Sequence, residues 1–164
     1  MRPPTLDDAR DLFERYTRDP EVARYLTWRP HTSLRNTQVF LRRLLQAHRR
    51  GTSRPWVITT RDDDHPFGMI ELRPGGHRAE IGYVLARPWW GRGYMTEAAS
   101  AVAEWGLARP TIYRVWAVTD VDNAASGRVL EKIGMLREGL LRAWLVHPNL
   151  SPQPRDCWCY ARVR

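Results

Sequence analysis

The stretch Glu80-Ile81-Gly82-Tyr83-Val84-Leu85-Ala86-Arg87-Pro88-Trp89-Trp90-Gly91-Arg92-Gly93-Tyr94-Met95-Thr96-Glu97-Ala98 leaves this chain few folds to choose from. An apolar run rich in β-branched and aromatic residues predicts a strand that ends at Arg87-Pro88. Two glycines flank Arg92, and a small-residue, alanine-rich helical pattern follows at once. A strand that passes through a glycine turn into a helix start makes an anion cradle. Glycine lets a ligand approach the backbone closely, and the first unpaired N–H groups of the helix, at the positive end of its dipole, then face that ligand.

The pattern on either side fixes the order of the other elements. Thr5-Leu6-Asp7-Asp8 has capping-box spacing, and Ala9, Leu12, Phe13 and Tyr16 recur on one helical face until Asp19-Pro20 closes the element. A second helix starts between Ser33 and Thr37, carries Val39, Phe40, Leu44 and Leu45 inward, and ends at Gly51. Trp56–Thr60, Phe67–Arg73 and Arg78–Ala86 read as a three-stranded antiparallel meander that delivers the chain to the glycine turn. A helix over Thr96–Ala108 and a strand over Ile112–Thr119 follow, so the strand-helix-strand unit predicts a right-handed crossover with parallel strands. The C-terminal part supplies strands over Gly139–Val146 and Arg155–Arg162, joined by a proline-stiffened loop.

At 164 residues the chain is expected to form one domain over 1–164. Neither an apolar run of membrane-spanning length nor a leader pattern is visible, so the sequence predicts a soluble, cytoplasmic protein. The net charge of +8 comes from arginine, for Lys132 is the single lysine. The arginines are dispersed, which suits a solvated basic surface and anionic ligands better than a nucleic-acid groove reader. Cys157 and Cys159 lie on one face of the last strand, and the histidines are scattered without pairing, so the thiols read as core residues and no metal is expected.

A second motif runs Asp120-Val121-Asp122-Asn123-Ala124-Ala125-Ser126-Gly127-Arg128-Val129-Leu130-Glu131-Lys132-Ile133-Gly134-Met135. By itself it is a short amphipathic helix capped by Asn123 and terminated by Gly134. Together with Trp90-Gly91-Arg92-Gly93-Tyr94-Met95-Thr96-Glu97-Ala98, it resembles the GCN5-related N-acetyltransferases, and within them the branch that acetylates ribosomal-protein N-termini. The general family turn begins with Arg or Gln, whereas that branch commonly has Trp there, so Trp90 points to the branch.

The resemblance implies an α/β fold with a mostly antiparallel twisted sheet, one parallel strand pair splayed at the acyl-CoA site and helices on both faces. It also implies that the first edge strand is missing or curtailed, because almost nothing precedes Arg2-Pro3. The implied reaction moves an acetyl group from acetyl-CoA to a primary amine by direct attack in a ternary complex. Trp90, Gly91, Arg92, Gly93, Tyr94, Met95 and Thr96 would then form the pyrophosphate turn. Tyr83, Val84 and Leu85 would lie along the pantetheine arm, and Asn123 would contact it unless its side chain is spent on capping.

Ser126 matches the proton donor to the leaving thiolate, its plainer role being that of a small helix residue. Glu80 is the expected general base, with Glu71 as runner-up; both could instead be solvent-facing strand carboxylates. Gly82 within the strand suggests a bulge. Tyr25, Trp28 and Asn149 lie in segments that would line the acceptor site, although Tyr25 and Trp28 could equally be packing residues. The resemblance is compatible with a homodimer. Three rivals stay open at this level: a dinucleotide-binding oxidoreductase, weakened by Thr96 in place of the third glycine; a basic nucleic-acid-binding domain; and a non-catalytic acyl-CoA sensor of the same fold.

Overall fold

Alternating apolar residues between turn signals pair into a meander in the computed structural model, which describes residues 1–164. Its strands are β1 (Arg54–Ile58), β2 (Gly68–Gly75) and β3 (Arg78–Leu85). The other elements are α1 (Ala9–Leu12, continued by a wider π-type turn over Phe13–Thr17), α2 (Pro20–Ala23), α3 (Leu34–Arg49), α4 (Tyr94–Leu107), β4 (Arg114–Asp120), α5 (Ala124–Lys132), β5 (Leu136–Leu145) and β6 (Arg155–Val163). The six strands lie in the order β1-β2-β3-β4-β6-β5. Only β3 and β4 run parallel; every other pair is antiparallel. That order removes the parallel, doubly wound sheet on which a dinucleotide-binding reading depends.

Cross-strand register assigns the faces. Trp56, Ile70 and Tyr83 stand opposite one another on β1, β2 and β3 and so share a face. On it α4 packs: its Trp105 meets Trp56 edge to face at 5.4 Å, and Ala98, Ala99, Val102 and Ala103 are buried beneath it. The small side chains let the helix axis come close to the sheet. The opposite face carries Val57 and Met69, buried on the side where α3 packs on β1 and α1 packs on α3.

The first strand is curtailed, as expected, to a single bridge between Arg2 and Val57. Other expectations need correction. The N-terminal helix becomes regular only at Ala9, although the return bond of the expected capping box is made: Asp8 accepts the Thr5 N–H (2.7 Å) and also pairs with Arg2 (2.7 Å). Asp19 both closes this first element and caps a new one, α2, by accepting from the Glu21 N–H at 2.9 Å. The inner face of α3 is Thr37, Leu41 and Leu44, with Val39, Phe40 and Leu45 only half-buried. Thr37 is drawn inward by hydrogen bonds to Thr17 (3.0 Å) and His31 (2.8 Å).

Gly82 makes no bulge: the β2–β3 register runs unbroken through Glu71 and Gly82. Glycine serves close approach there, since a Cβ on Gly82 would sit 3.0 Å from the Arg73 guanidinium. Gly51 and Gly134 end their helices with φ of +79° and +80°, as their positions predict. Both cysteines are free, Cys157 buried and Cys159 half-buried. No helix is long and apolar enough to cross a membrane.

Candidate active site

The sheet is split. β3 and β4 pair only between Arg78–Glu80 and Arg114–Trp116, and beyond that point the two strands part. Alternation along β3, fixed by the 2.8 Å bond from the Ala86 N–H to the Phe67 carbonyl, turns the backbone groups of Tyr83 and Leu85 into the gap. Val84 spends its backbone on Met69 of β2 and offers the gap its side chain.

At the wide end of the gap lies the glycine turn. Gly91 and Gly93 have φ of +72° and +87°, and a Cβ built on either would find no atom within 4 Å. The turn therefore needs glycine for its backbone conformation, and it faces open space. From Gly91 through Thr96 the N–H groups have no acceptor within the chain, and those of Gly93 to Thr96 open α4. The Trp90 indole N–H closes the turn by donating to the Leu85 carbonyl at 2.7 Å. Beneath it Trp89 stacks on Phe67 (3.9 Å between ring centroids), Tyr94 meets both rings edge to face, and the Arg92 guanidinium lies over Trp89 at 5.6 Å.

The gap and the turn open into one groove of about 420 Å³. Of the residues singled out in the sequence, Tyr25, Tyr83, Val84, Leu85, Trp90, Gly91, Gly93, Met95, Thr96, Asn123 and Ser126 line it; Arg92 and Tyr94 sit beside it in the turn. The sequence reading missed Glu21, Arg24, Arg128 and Lys132. The last two were within reach of helical periodicity, for they lie two and six residues beyond Ser126 on the face that also carries Ala125 and Val129. The α2 pair had no such signal, because nothing local predicts that α2 folds across the groove. Three contacts hold it there: Arg87 to Asp19 (3.0 Å), the Tyr25 hydroxyl to the Asp122 carbonyl (3.4 Å) and the Asn149 amide to the Ala23 carbonyl (2.6 Å).

The inner end of the groove holds a hydroxyl pair. Tyr83 Oη lies 2.9 Å from Ser126 Oγ and 3.2 Å from the Ser126 carbonyl oxygen. Burial pushes the Tyr83 phenol well above its ordinary range, outweighing the Ser126 hydrogen bond. Asn123 accepts from the Ser126 N–H at 3.2 Å, so its carbonyl oxygen caps α5 and its NH₂ alone remains for a ligand.

The two carboxylates lie elsewhere. Glu71 and Glu80 occupy the opposite sheet face from Tyr83 and clamp Arg73, which donates to Glu71 Oε2 at 2.6 Å and to Glu80 Oε1 at 2.8 Å. Glu71 Oε1 accepts from the Ser53 hydroxyl at 2.6 Å, so both of its oxygens are engaged. Glu80 keeps one oxygen without a protein partner. Asn149 and Trp28 come together, but as structure: the Asn149 amide donates to the carbonyls of Ala23 (2.6 Å) and Trp28 (2.8 Å), and the Trp28 ring packs on His31.

Residues 1–136 match the family model described as the acetyltransferase (GNAT) domain. The chain belongs to the GNAT acetyltransferase family. It is similar to the uncharacterized N-acetyltransferase p20 of Bacillus licheniformis, with 30% identity over 87% of this chain and 81% of that one. It is 25% identical to the ribosomal protein uS5-alanine N-acetyltransferase of Escherichia coli over 60% of this chain and 53% of that one. Among solved structures, a GNAT-family acetyltransferase from Bacillus anthracis superimposes with a TM-score of 0.83 at 27% identity, covering 99% of this chain and 92% of the other. RimL, a ribosomal alpha-N-protein acetyltransferase in complex with coenzyme A, gives 0.86 at 23% identity over 99% and 92% of the two chains, which speaks for the fold. The mixed six-stranded GNAT sheet read from the two motifs is the one observed.

Proposed function

We propose that this GNAT protein moves an acetyl group from acetyl-CoA to a primary amine by direct attack within a ternary complex. One observation carries the reading: the unsatisfied N–H groups of Gly91 to Thr96 and the unpaired edge of β3 open into the same groove. The first suits a pyrophosphate and the second suits a thin amide-bearing arm. Acetyl-CoA, when bound, supplies the activated acyl carbonyl; this chain supplies position, electrostatics and proton handling.

In this reading the turn from Trp90 to Thr96 holds the pyrophosphate, with Arg92 free to reach it. The backbone of Tyr83 and the N–H of Leu85, whose carbonyl is held by Trp90, pair with the pantetheine arm, while the Val84 side chain and the Asn123 NH₂ flank it. A backbone N–H on the β3 edge polarises the thioester carbonyl. Ser126 faces the leaving sulfur as hydrogen-bond donor. Of the two carboxylates only Glu80 keeps an oxygen free to take up the amine's proton, and because it lies outside the groove lining it does so through relayed water; Glu71 has both oxygens engaged. Tyr25 borders the acceptor entrance. A protein N-terminus is the acceptor class favoured by the likeness to the uS5-alanine enzyme.

Isothermal titration with acetyl-CoA, CoA and NAD tests the cofactor. Micromolar binding of the first two without NAD binding supports it, and a screen of amines and N-terminal peptides with thiol detection then tests transfer. Absence of acetyl-CoA binding to folded protein sinks the proposal.

A further inference from the structure

We infer that the Tyr83 hydroxyl is the positioning group of Ser126, fixing the direction in which the serine O–H points. The inference rests on the acetyl-CoA reading above. A phenol has one proton to give, and two acceptors lie within reach: Ser126 Oγ at 2.9 Å and the Ser126 carbonyl at 3.2 Å. That carbonyl belongs to the first turn of α5, where the helical ladder already engages it. The hydroxyl oxygen is both nearer and less committed.

Two arrangements follow from this geometry. When Tyr83 donates to Oγ, the serine proton must turn away from Tyr83, and the open space around Ser126 is the groove that both residues line. When Tyr83 donates to the carbonyl, Ser126 donates to Tyr83 and its proton is withdrawn from the groove. A negative sulfur in the groove favours the first arrangement, because a hydrogen bond to a charged acceptor is the stronger one. Tyr83 stays a donor throughout, since its buried phenol does not ionise in the working range. It holds the serine and gives up no proton of its own.

The scaffold explains why a tyrosine on β3 can do this. Its ring rises from the strand whose next backbone groups border the gap, so the line of the ligand and the height of Ser126 are set by the same strand. From the other side Tyr160 of β6 supports α5, donating to Glu131 at 3.3 Å and lying 3.0 Å from where a Cβ on Gly127 would be. The helix is gripped on both flanks of Ser126, leaving the serine rotor as the remaining freedom.

The test needs no acceptor. CoA itself is the probe, and the pKa of its thiol in the complex is read from thiolate ultraviolet absorbance. In the wild-type complex the thiol should titrate below free CoA. Ser126→Ala should raise it by about one pH unit, the size expected for losing a hydrogen bond to an anion. Tyr83→Phe should raise it by about half a unit, since a freely rotating serine donates only part of the time. In the Ser126→Ala background Tyr83→Phe should add nothing, and Ser126→Thr should restore part of the shift. An unaltered thiol pKa in Tyr83→Phe overturns the inference, as does a Tyr83→Phe shift that persists without Ser126. Should the phenylalanine variant fail to fold, 3-fluorotyrosine at position 83, a stronger donor, must lower the thiol pKa further or the inference falls. Failure of CoA to bind wild-type protein is a separate result: it removes the cofactor reading on which the inference stands.

Discussion

Trp90 reaches back across the glycine turn to Leu85, its indole N–H donating to the strand carbonyl at 2.7 Å. The residue that departs from the general family turn thus has a structural role, since it pins the loop to the strand end and stops the Leu85 carbonyl from facing a phosphate unmasked. Trp90→Phe removes one hydrogen bond worth about 1 kcal/mol, so melting temperature should fall by a few degrees and, with the turn unpinned, CoA affinity should fall about fivefold. Trp90→Gln keeps an N–H donor and should lose less. Titration calorimetry on the two variants decides; equal affinities for wild type and Trp90→Phe would mean that the latch does not support binding.

Gly93 requires its left-handed backbone and has nothing near its missing side chain. Gly93→Ala should therefore destabilise the fold by about 1–2 kcal/mol through backbone strain alone, a fall of a few degrees in Tm. Its methyl group would stand in the space facing the unsatisfied N–H groups, so the Kd for CoA should rise more than about tenfold. A variant that binds CoA as wild type does would move the phosphate site elsewhere.

Glu80 and Glu71 share Arg73 but differ in what is left over. As the base, Glu80 should cost about a hundredfold or more in kcat/KM on conversion to Gln. Glu71→Gln should stay within about threefold of wild type, by the same comparison. The reverse ranking would transfer the role to Glu71.

Asp120 is buried against Arg155, which donates to it at 2.6 and 3.1 Å. Burial alone would raise the Asp120 pKa; the Arg155 hydrogen bonds, the Asp122 N–H and the charges of Arg155 and His147 outweigh it and hold the carboxyl below its usual value. A depressed folded pKa means stability that is present above the unfolded carboxylate pKa and lost as pH falls through the folded one. Arg155→Ala removes the side-chain hydrogen bonds and one of the charges that oppose burial and leaves the Asp122 N–H and His147, so the folded pKa should rise and the stability lost on acidification should shrink. Urea unfolding between about pH 3 and 7 should show the flatter slope, with a loss at neutral pH of about 2 kcal/mol or more. An unchanged slope would mean that Asp120 is held by other groups.

Asn149→Ala frees the carbonyls of Ala23 and Trp28 that its amide now satisfies. Hydrogen exchange should accelerate across α2 and the turn after it, with the local stability cost about 1–2 kcal/mol and the sheet amides unaffected. Uniform acceleration through the whole chain would show instead that the contact supports the global fold.

How far the sequence could be read depended on whether the cause of a feature was local. The antiparallel meander, the glycine junction, the Asn123 cap and the Gly134 stop were legible, because each is set by the conformational limits of a few consecutive residues; the insertion of β6 between β4 and β5 had no such local signal. The inner face of α3 was misread because Thr37, a polar residue, is buried by partners from Thr17 and His31 that periodicity cannot see. The Gly82 bulge failed for a related reason: a glycine needed for close approach looks the same in sequence as one needed for a kink. At the site, the phosphate turn was visible and the hydroxyl pair was not, since Tyr83 and Ser126 stand 43 positions apart and meet only when α5 folds over β3. Likewise Asn149 was seen as polar and near the right loop, but the way it pins Trp28 is a long-range contact.

Mechanically, the divided sheet is two plates joined along a seam three residue pairs long. The seam also divides the chain into contiguous lengths, with β1 to β3 before it and β4 to β6 after it. Flexing about so short a hinge costs few backbone hydrogen bonds, so the opening angle is held mainly by α4, which packs on β2 and β3 on one side and β4 on the other. Whatever bridges both plates acts as a strut, and the thermal spread of that angle should narrow when the groove is filled.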